Sequence, residues 1–392
     1  MKLSVVNWLR GNLLLLQLPV TANRSLPTMT ALSTPEIQIL PATAADYEGV
    51  IAISEGLFMG LDYVSFKYHS WLKDRQRRMF VAKSEGKVVA FETFLLVDGG
   101  VTAVFQGLRV APWMRGRRVA GLMHKFLIAA SRTDHPDVTR IRLTRVEDPP
   151  AVLLDKYQII HSKVNLMSLF HYMSCLVYEL LFLSADELEV ALRVLESRIP
   201  SACKDSPPPL FLDYSEVHGL FSGPLKEEDL LPERVLIQSW LPITTCKANL
   251  DLMQRWEDNI SVSDTGPSST AFKGFLSLGT PMFPVPLGDG KHLLDIDLFG
   301  SDLSCAKIHV LLHLQETAKD LPAGGSIICF LHAEESLRDG LSGLLDGFTP
   351  FPMCREQLVL EKDIKSLKNL GYLCNSINVT LVINVIVKSI FL

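Results

Sequence analysis

No two cysteines of this chain stand in C-x-x-C spacing. The seven (Cys175, Cys203, Cys246, Cys305, Cys329, Cys354, Cys374) are scattered and odd in number. That argues against a disulfide framework and a zinc site, and for reduced thiols in the cytosol. The N-x-S/T sequons at Asn23, Asn259 and Asn378 are then chance matches. Apolar runs of membrane-spanning length are also missing. Leu13–Val20, behind Lys2 and Arg10, is too short, and the apolar, β-branched tail Val379–Leu392 falls short as well. The first reads as part of a leader or disordered extension with an alternative start near Met29, the second as a buried strand or a foreign tail. No long basic face and no aromatic-interleaved basic patch occurs, so nucleic acid is not an expected partner. What remains is 48% hydrophobic and 21% charged over 392 residues, a globular composition with length for two domains.

Charge is unevenly placed. The chain carries −5 overall, yet residues 101–145 hold nine Lys/Arg and two acids. Within that island an apolar strand runs to Val110 and Ala111, and a turn follows at Pro112 and Trp113. A basic loop spans Arg115 to Gly121, and Leu122, Met123, Phe126, Leu127 and Ala130 then repeat at helical spacing. Strand, basic loop, helix is how a backbone cradles phosphate. N–H groups at the helix start point outward, and the helix dipole favours an anion there.

The loop fits a Q/R-x-x-G-x-G/A pattern over Arg115, Gly116, Arg117, Arg118, Val119 and Ala120, with Arg118 at the first motif glycine. It resembles the acyl-CoA loop of the GCN5-related N-acetyltransferase (GNAT) superfamily. The element order over 36–170, β-α-(α)-β-β-β-α-β-α-β, is similar to the complete domain of that family. The resemblance implies an α/β (α+β) fold whose mixed sheet splays between its fourth and fifth strands. It also implies acetyl-CoA as co-substrate, its pantetheine arm along the backbone of Leu108, Arg109 and Val110 and its pyrophosphate at Arg115–Gly121. The phrases Leu40–Thr43, Tyr68–Leu72, Gly107–Trp113 and Arg140–Arg145 look like the histidine N-acetyltransferase group. That likeness implies transfer of acetyl to the α-amine of a free amino acid, histidine, in the cytoplasm. A peptide or protein amine, or a CoA-binding regulator without catalysis, stays open beside it.

Acetyl transfer needs a route for the amine's proton and an acid for the leaving thiolate. Where relatives place a glutamate on the fourth strand, this chain has Gln106, which takes no proton. Glu92, a lone acid in an apolar strand, is the candidate base, unless it faces solvent on an edge. Tyr157 is the phenol near the expected acid position, and is either that acid or a core tyrosine. Tyr63, Tyr68, His69 and Trp71 are candidates to wall an aromatic acceptor pocket, with Tyr68 and Trp71 foremost. Arg109, Arg142 or Arg145 could hold a substrate carboxylate.

The expected layout is an extension over 1–35, the acetyltransferase domain over 36–170 ending in a strand at Lys163–Phe170, and a linker with an amphipathic helix over 171–209. A C-terminal α/β domain over 210–362 and an apolar tail over 363–392 follow. The later order (strand Leu293–Phe299, helix Cys305–Leu321, strand Ser326–His332, helix Glu334–Leu345, strand Gln357–Glu361) echoes the back half of an acetyltransferase. Its loop Gly300–Ser304 lacks basic residues, which predicts a degenerate second unit without CoA. His309 and His313 lie four apart on its helix with no third ligand, so packing or surface placement is expected over metal binding.

Overall fold

The chain enters its first sheet through β1 (Ile37–Pro41). A turn built on Thr43 and Asp46 then opens α1 (Tyr47–Ser54), the Thr43 backbone N–H donating to Asp46 Oδ2 at 2.8 Å. Next come α2 (Val64–Lys73), β2 (Arg77–Ser84), β3 (Lys87–Val97) and β4 (Thr102–Val110). They are followed by α3 (Val119–Asp134), β5 (Arg140–Val146), α4 (Ala151–Leu154) and β6 (Gln158–Ser162). β3 is buried from Val89 to Val97, which explains its nearly unbroken apolar run. α3 buries Val119, Met123, Leu127 and Ser131, one residue per turn, against that sheet. The computed structural model describes residues 37–146, 149–162, 175–181, 185–199, 209–213, 215–217, 219, 231, 234–254, 259–264, 274–288, 290–322, 325–350 and 357–365. The expected leader, the strand at Lys163–Phe170 and the tail beyond 365 lie outside them.

The second half begins with β7 (Cys175–Leu181), α5 (Ala185–Ser197) and β8 (Leu210–Phe211). A hairpin of β9 (Val235–Gln238) and β10 (Leu241–Thr244) leads to α6 (Lys247–Gln254), β11 (Asn259–Asp264), β12 (Gly274–Gly279) and β13 (Phe283–Pro284). β14 (Lys291–Phe299), α7 (Leu303–Ala318), β15 (Ser326–His332), α8 (Arg338–Leu344), β16 (Thr349–Pro350) and β17 (Gln357–Asp363) complete it.

Among the described residues the first sheet has the order β1-β2-β3-β4-β5-β17-β6, and the second runs β8-β11-β12-β14-β15-β7-β16. Along these seven positions the two match, and the second sheet adds β13 on β14 off that path. In both, the fourth and fifth positions pair in parallel and the other neighbours antiparallel. The second acetyltransferase-like unit expected from element order is therefore present. Each sheet, however, borrows its sixth strand from the other half of the chain. β17, expected in the C-terminal domain, lies between β5 and β6, from Gln357 opposite Val146 to Asp363 opposite Arg140. β7, expected within the linker, lies between β15 and β16. The boundaries at 170, 209 and 362 do not follow the sheets for this reason: β17 brings the buried side chains Leu358, Val359 and Leu360 and the counter-charge Glu361 to the first sheet.

The halves also share a core. Leu95, Val97 and Val104 of the first sheet pack with Leu236, Leu241, Ile243, Leu276 and Leu278. Beside them Arg142, almost fully buried, bonds Asp98, Glu361 and the Pro242 carbonyl. His309 and His313 are buried and meet one Ser277 hydroxyl at 2.7 and 2.8 Å. Burial brings both down to about 3, so they are neutral packing residues. Among the described residues no helix is long and apolar enough to cross a membrane.

Candidate active site

β4 and β5 pair only from Thr102 to Val104 against Arg140 to Arg142, while β4 runs on to Val110. From Phe105 onward β4 thus presents an open edge to a widening cleft, the expected splay. Gly107 takes φ +73° at a bulge opposite Glu92, where the β3–β4 register shifts. A Cβ at Gly107 would meet the Phe91 ring at 3.2 Å, so glycine is required here twice over.

Past β4, a turn at Pro112–Met114 leads into the basic loop. Arg115, Gly116, Arg117 and Arg118 are exposed, and α3 starts at Val119 without a side-chain cap. Its first-turn N–H groups, from Val119 through Ala120 and Gly121, have no partner within the helix. Gly116 (φ +75°) and Arg118 (φ +64°) are left-handed, and a Cβ on Gly116 or Gly121 would meet nothing within 4 Å. Arg118 holds a conformation that suits glycine, at a cost of about 1 kcal/mol. Arg115 Nε donates to the Val110 carbonyl at 3.2 Å, tying the loop to the end of β4. Open N–H groups, three exposed guanidinium groups and empty space above the glycines fit the diphosphate of an acyl-CoA. The corresponding place in the second unit is built otherwise. There β14 and β15 stay paired over seven residues, from Lys291–Ser326 to Asp297–His332, and Asp302 caps α7 by accepting from Cys305 N at 2.8 Å. No cleft opens, and the helix start already holds a carboxylate.

On the α3 side of the sheet the two catalytic candidates meet through a third residue. Glu92, 3% exposed, faces His124 of α3, with Oε1 3.3 Å from Nδ1. His124 Nε2 lies 2.5 Å from Tyr157 Oη, and its ring packs edge-on against Phe105. Burial raises the Glu92 pKa, opposed by His124. Burial, followed by the Glu92 charge, raises the Tyr157 phenol well above its ordinary value. The edge placement of Glu92 does not fit this geometry: the carboxylate is enclosed and faces His124, which is 22% exposed. Sequence reasoning missed His124. Its signal is a polar residue within the apolar rhythm of α3, one turn past the loop.

The acceptor candidates divide. Tyr68 is fully buried, and its hydroxyl donates to the Thr43 carbonyl at 2.7 Å. Burial and then the Asp46 charge push its pKa up to about 12. It is a core residue, which corrects the expectation that it walls a pocket. His69 is exposed and lies on Tyr47, away from the bulge. Trp71 does reach the site, 3.6 Å from a Cβ built on Gly107 and edge-on to Tyr63. Of the three arginines expected to take a carboxylate, two are committed. Arg109 grips Asp62 through Nε at 3.2 Å and Nη2 at 2.5 Å, and Arg142 is held by Asp98 and Glu361. Arg145 is exposed. The role of Asp62 was not legible, because its partner lies 47 residues away.

Residues 51–154 match the Acetyltransferase (GNAT) family, and residues 205–334 match the family described as Histidine N-acetyltransferase, C-terminal. The histidine N-acetyltransferase of Oreochromis niloticus is 31% identical over 85% of this chain and 96% of its own length. The chain belongs to the histidine N-acetyltransferase family. The Xenopus tropicalis histidine N-acetyltransferase is 35% identical over 74% of this chain and 83% of its own. The probable N-acetyltransferase 16 of Homo sapiens is 34% identical over 84% and 86%. Members of the GNAT family are acetyltransferases that draw on acetyl-CoA.

Proposed function

We propose that the protein transfers acetyl from acetyl-CoA to the α-amine of free L-histidine, giving N-acetyl-L-histidine and CoA. The observation that carries the reading is the cleft itself, open from Phe105 along β4 above an uncapped basic helix start. The names of the relatives supply histidine. In this reading Arg115–Gly121 holds the diphosphate, and the β4 backbone at Leu108, Arg109 and Val110 aligns the pantetheine arm. The catalytic unit is residues 37–162 closed by β17, and the second unit supports it without binding CoA. Acetyl-CoA and the free thiols of Cys246, Cys305 and Cys329 fit a cytoplasmic setting.

The chemistry then falls to few residues. The amine attacks the thioester carbonyl, a C–N bond forms and the C–S bond breaks. One proton leaves the nitrogen and one arrives at sulfur. An α-amine sheds its proton more readily than a lysine side chain, so water at the open edge of β4 carries it to solvent, with the β4 carbonyls only orienting the amine by hydrogen bonds. Tyr157 protonates the sulfur. A phenol whose proton is held this firmly is a weak acid unless its oxygen is reprotonated at once. His124 Nε2, at 2.5 Å, is the group placed to return that proton, with Glu92 beside Nδ1 orienting the ring. Glu92 is therefore a positioning residue acting through His124, in place of the direct base read from sequence.

The test is thiol release by the pure protein with acetyl-CoA and each proteinogenic amino acid in turn. Histidine is expected to lead, with N-acetylhistidine seen by mass. Release that is absent with histidine, or no faster than with lysine or a peptide, overturns the reading.

A further inference from the structure

Three arginines are buried among the described residues, and two have carboxylate partners: Arg109 with Asp62, Arg142 with Asp98 and Glu361. The third does not. Arg77 of β2 is 6% exposed, and within salt-bridge distance no carboxylate meets its guanidinium among the described residues. Its Nη1 donates to the Gln106 amide oxygen at 3.0 Å, its plane lies 4.1 Å from the centre of the Trp71 ring, and its Nε has no acceptor. Burial draws its pKa down to about 10, with Asp74 and then Tyr63 opposing. A buried cation without an anion is costly to keep. A stack on an indole, one neutral hydrogen bond and the more distant Asp74 charge offset part of that cost and leave the guanidinium without a paired carboxylate.

Its location gives the guanidinium a use. Gln106 immediately precedes Gly107, the bulge beside the open edge of β4, and Trp71 touches both Arg77 and the bulge. Arg77 is therefore one side chain away from where the thioester would lie. The identity of residue 106 matters in the same way. A glutamate there would pair with Arg77 and quench it, whereas the amide orients the guanidinium and leaves its charge free.

We propose that Arg77 is the carboxylate anchor of the acceptor site, gripping the α-carboxylate of the amino acid whose amine is acetylated. The inference rests on the functional reading above and adds what that reading lacks, the group that selects a free amino acid over an amine. Amine and carboxylate share one carbon, so fixing the carboxylate at Arg77 directs the amine to the bulge. Guanidinium and carboxylate form the paired, charge-assisted hydrogen bonds that such an anchor needs.

The experiment compares histidine with histamine, which keeps the amine and the imidazole and lacks the carboxylate, in the wild type, Arg77→Met and Gln106→Glu. The wild type is expected to prefer histidine in kcat/KM by roughly 100-fold, the worth of a charged paired contact. Arg77→Met should collapse that preference, chiefly by raising the KM for histidine. Its thermal midpoint should hold or rise, since a buried charge without an anion has been replaced by an apolar chain. Gln106→Glu should collapse the preference too, by supplying the anion internally, and serves if Arg77→Met fails to fold. An unchanged preference in either folded variant, or a wild type that takes histamine as well as histidine, overturns the anchor. A wild type that acetylates no α-amino acid overturns the functional reading, and the anchor with it.

Discussion

Replacing Arg142 with Met tests how the two halves are joined. The guanidinium lies 3.1 Å from Asp98 Oδ2, 2.7 and 3.0 Å from Glu361 Oε2, and 3.3 Å from the Pro242 carbonyl. It thereby ties β5 to the β3–β4 turn, to β17 and to the β9–β10 hairpin. Methionine fills the space and leaves the buried Asp98 and half-buried Glu361 carboxylates without their cation. Breaking a buried pair from one side costs about 3–5 kcal/mol. The penalty should depend on pH. Burial alone would raise the Asp98 pKa, but Arg142, with hydrogen bonds from Thr244 and Asn249, holds it below the usual range. A depressed folded-state pKa gives stability that is present above the unfolded value of about 4 and lost as pH falls through the folded value. Without Arg142 only the hydrogen bonds from Thr244 and Asn249 oppose burial, the carboxyl rises, and the variant gains protons that relieve it in acid. Urea unfolding followed by circular dichroism should show the full penalty near pH 7, shrinking by roughly half near pH 4.5, at constant m. A penalty below about 1 kcal/mol, or one equal at both pH values, refutes the assignment of Arg142 as the charge that holds the halves together.

Two further outcomes follow from the cleft. His124→Gln and Tyr157→Phe should each lower kcat by roughly 100-fold with acetyl-CoA affinity nearly unchanged, and the double variant should lose little more than either, because the two act as one relay; steady-state kinetics checks this, and additive losses count against it. Arg115→Glu and Gly116→Asp should weaken acetyl-CoA binding about tenfold or more by calorimetry, through repulsion at an uncapped helix start.

What was legible in the sequence was local. The strand to Val110, the basic loop and the helix from Val119 follow one another without a gap, so their chemistry could be read from spacing. Gly107 and Arg118 take the left-handed conformations that a bulge and a helix entry require. Glu92 stood out because an acid in a buried strand is expensive, and it does have a partner. The misreadings concern partners distant in sequence. Arg109 reads as a free cation until Asp62 is seen beside it, and Tyr68 as a pocket wall until its hydroxyl is found on Thr43. Gln106 read as a lost base, whereas its amide is bonded to Arg77. β17 read correctly as a strand but was given to the wrong sheet. Alternation specifies that a segment is extended and which face is apolar; it carries no address for the neighbour it pairs with.

The reciprocal loan of strands also sets an order on assembly. The second sheet has β7 in hand before the rest of its strands are made, so it can close as soon as β16 follows β15. The first sheet has its cleft, its loop and its relay residues early, yet it waits for β17. The bond from Arg142 to Glu361 spans 219 residues. Such distant closure slows folding, because the loop entropy is paid before the contact forms. The growing chain thus carries a first sheet in which β5 and β6 lack the strand that lies between them, and that sheet is complete only when the far half delivers β17. A chain broken between β16 and β17 would hold the cleft residues of the first sheet without the strand that completes it.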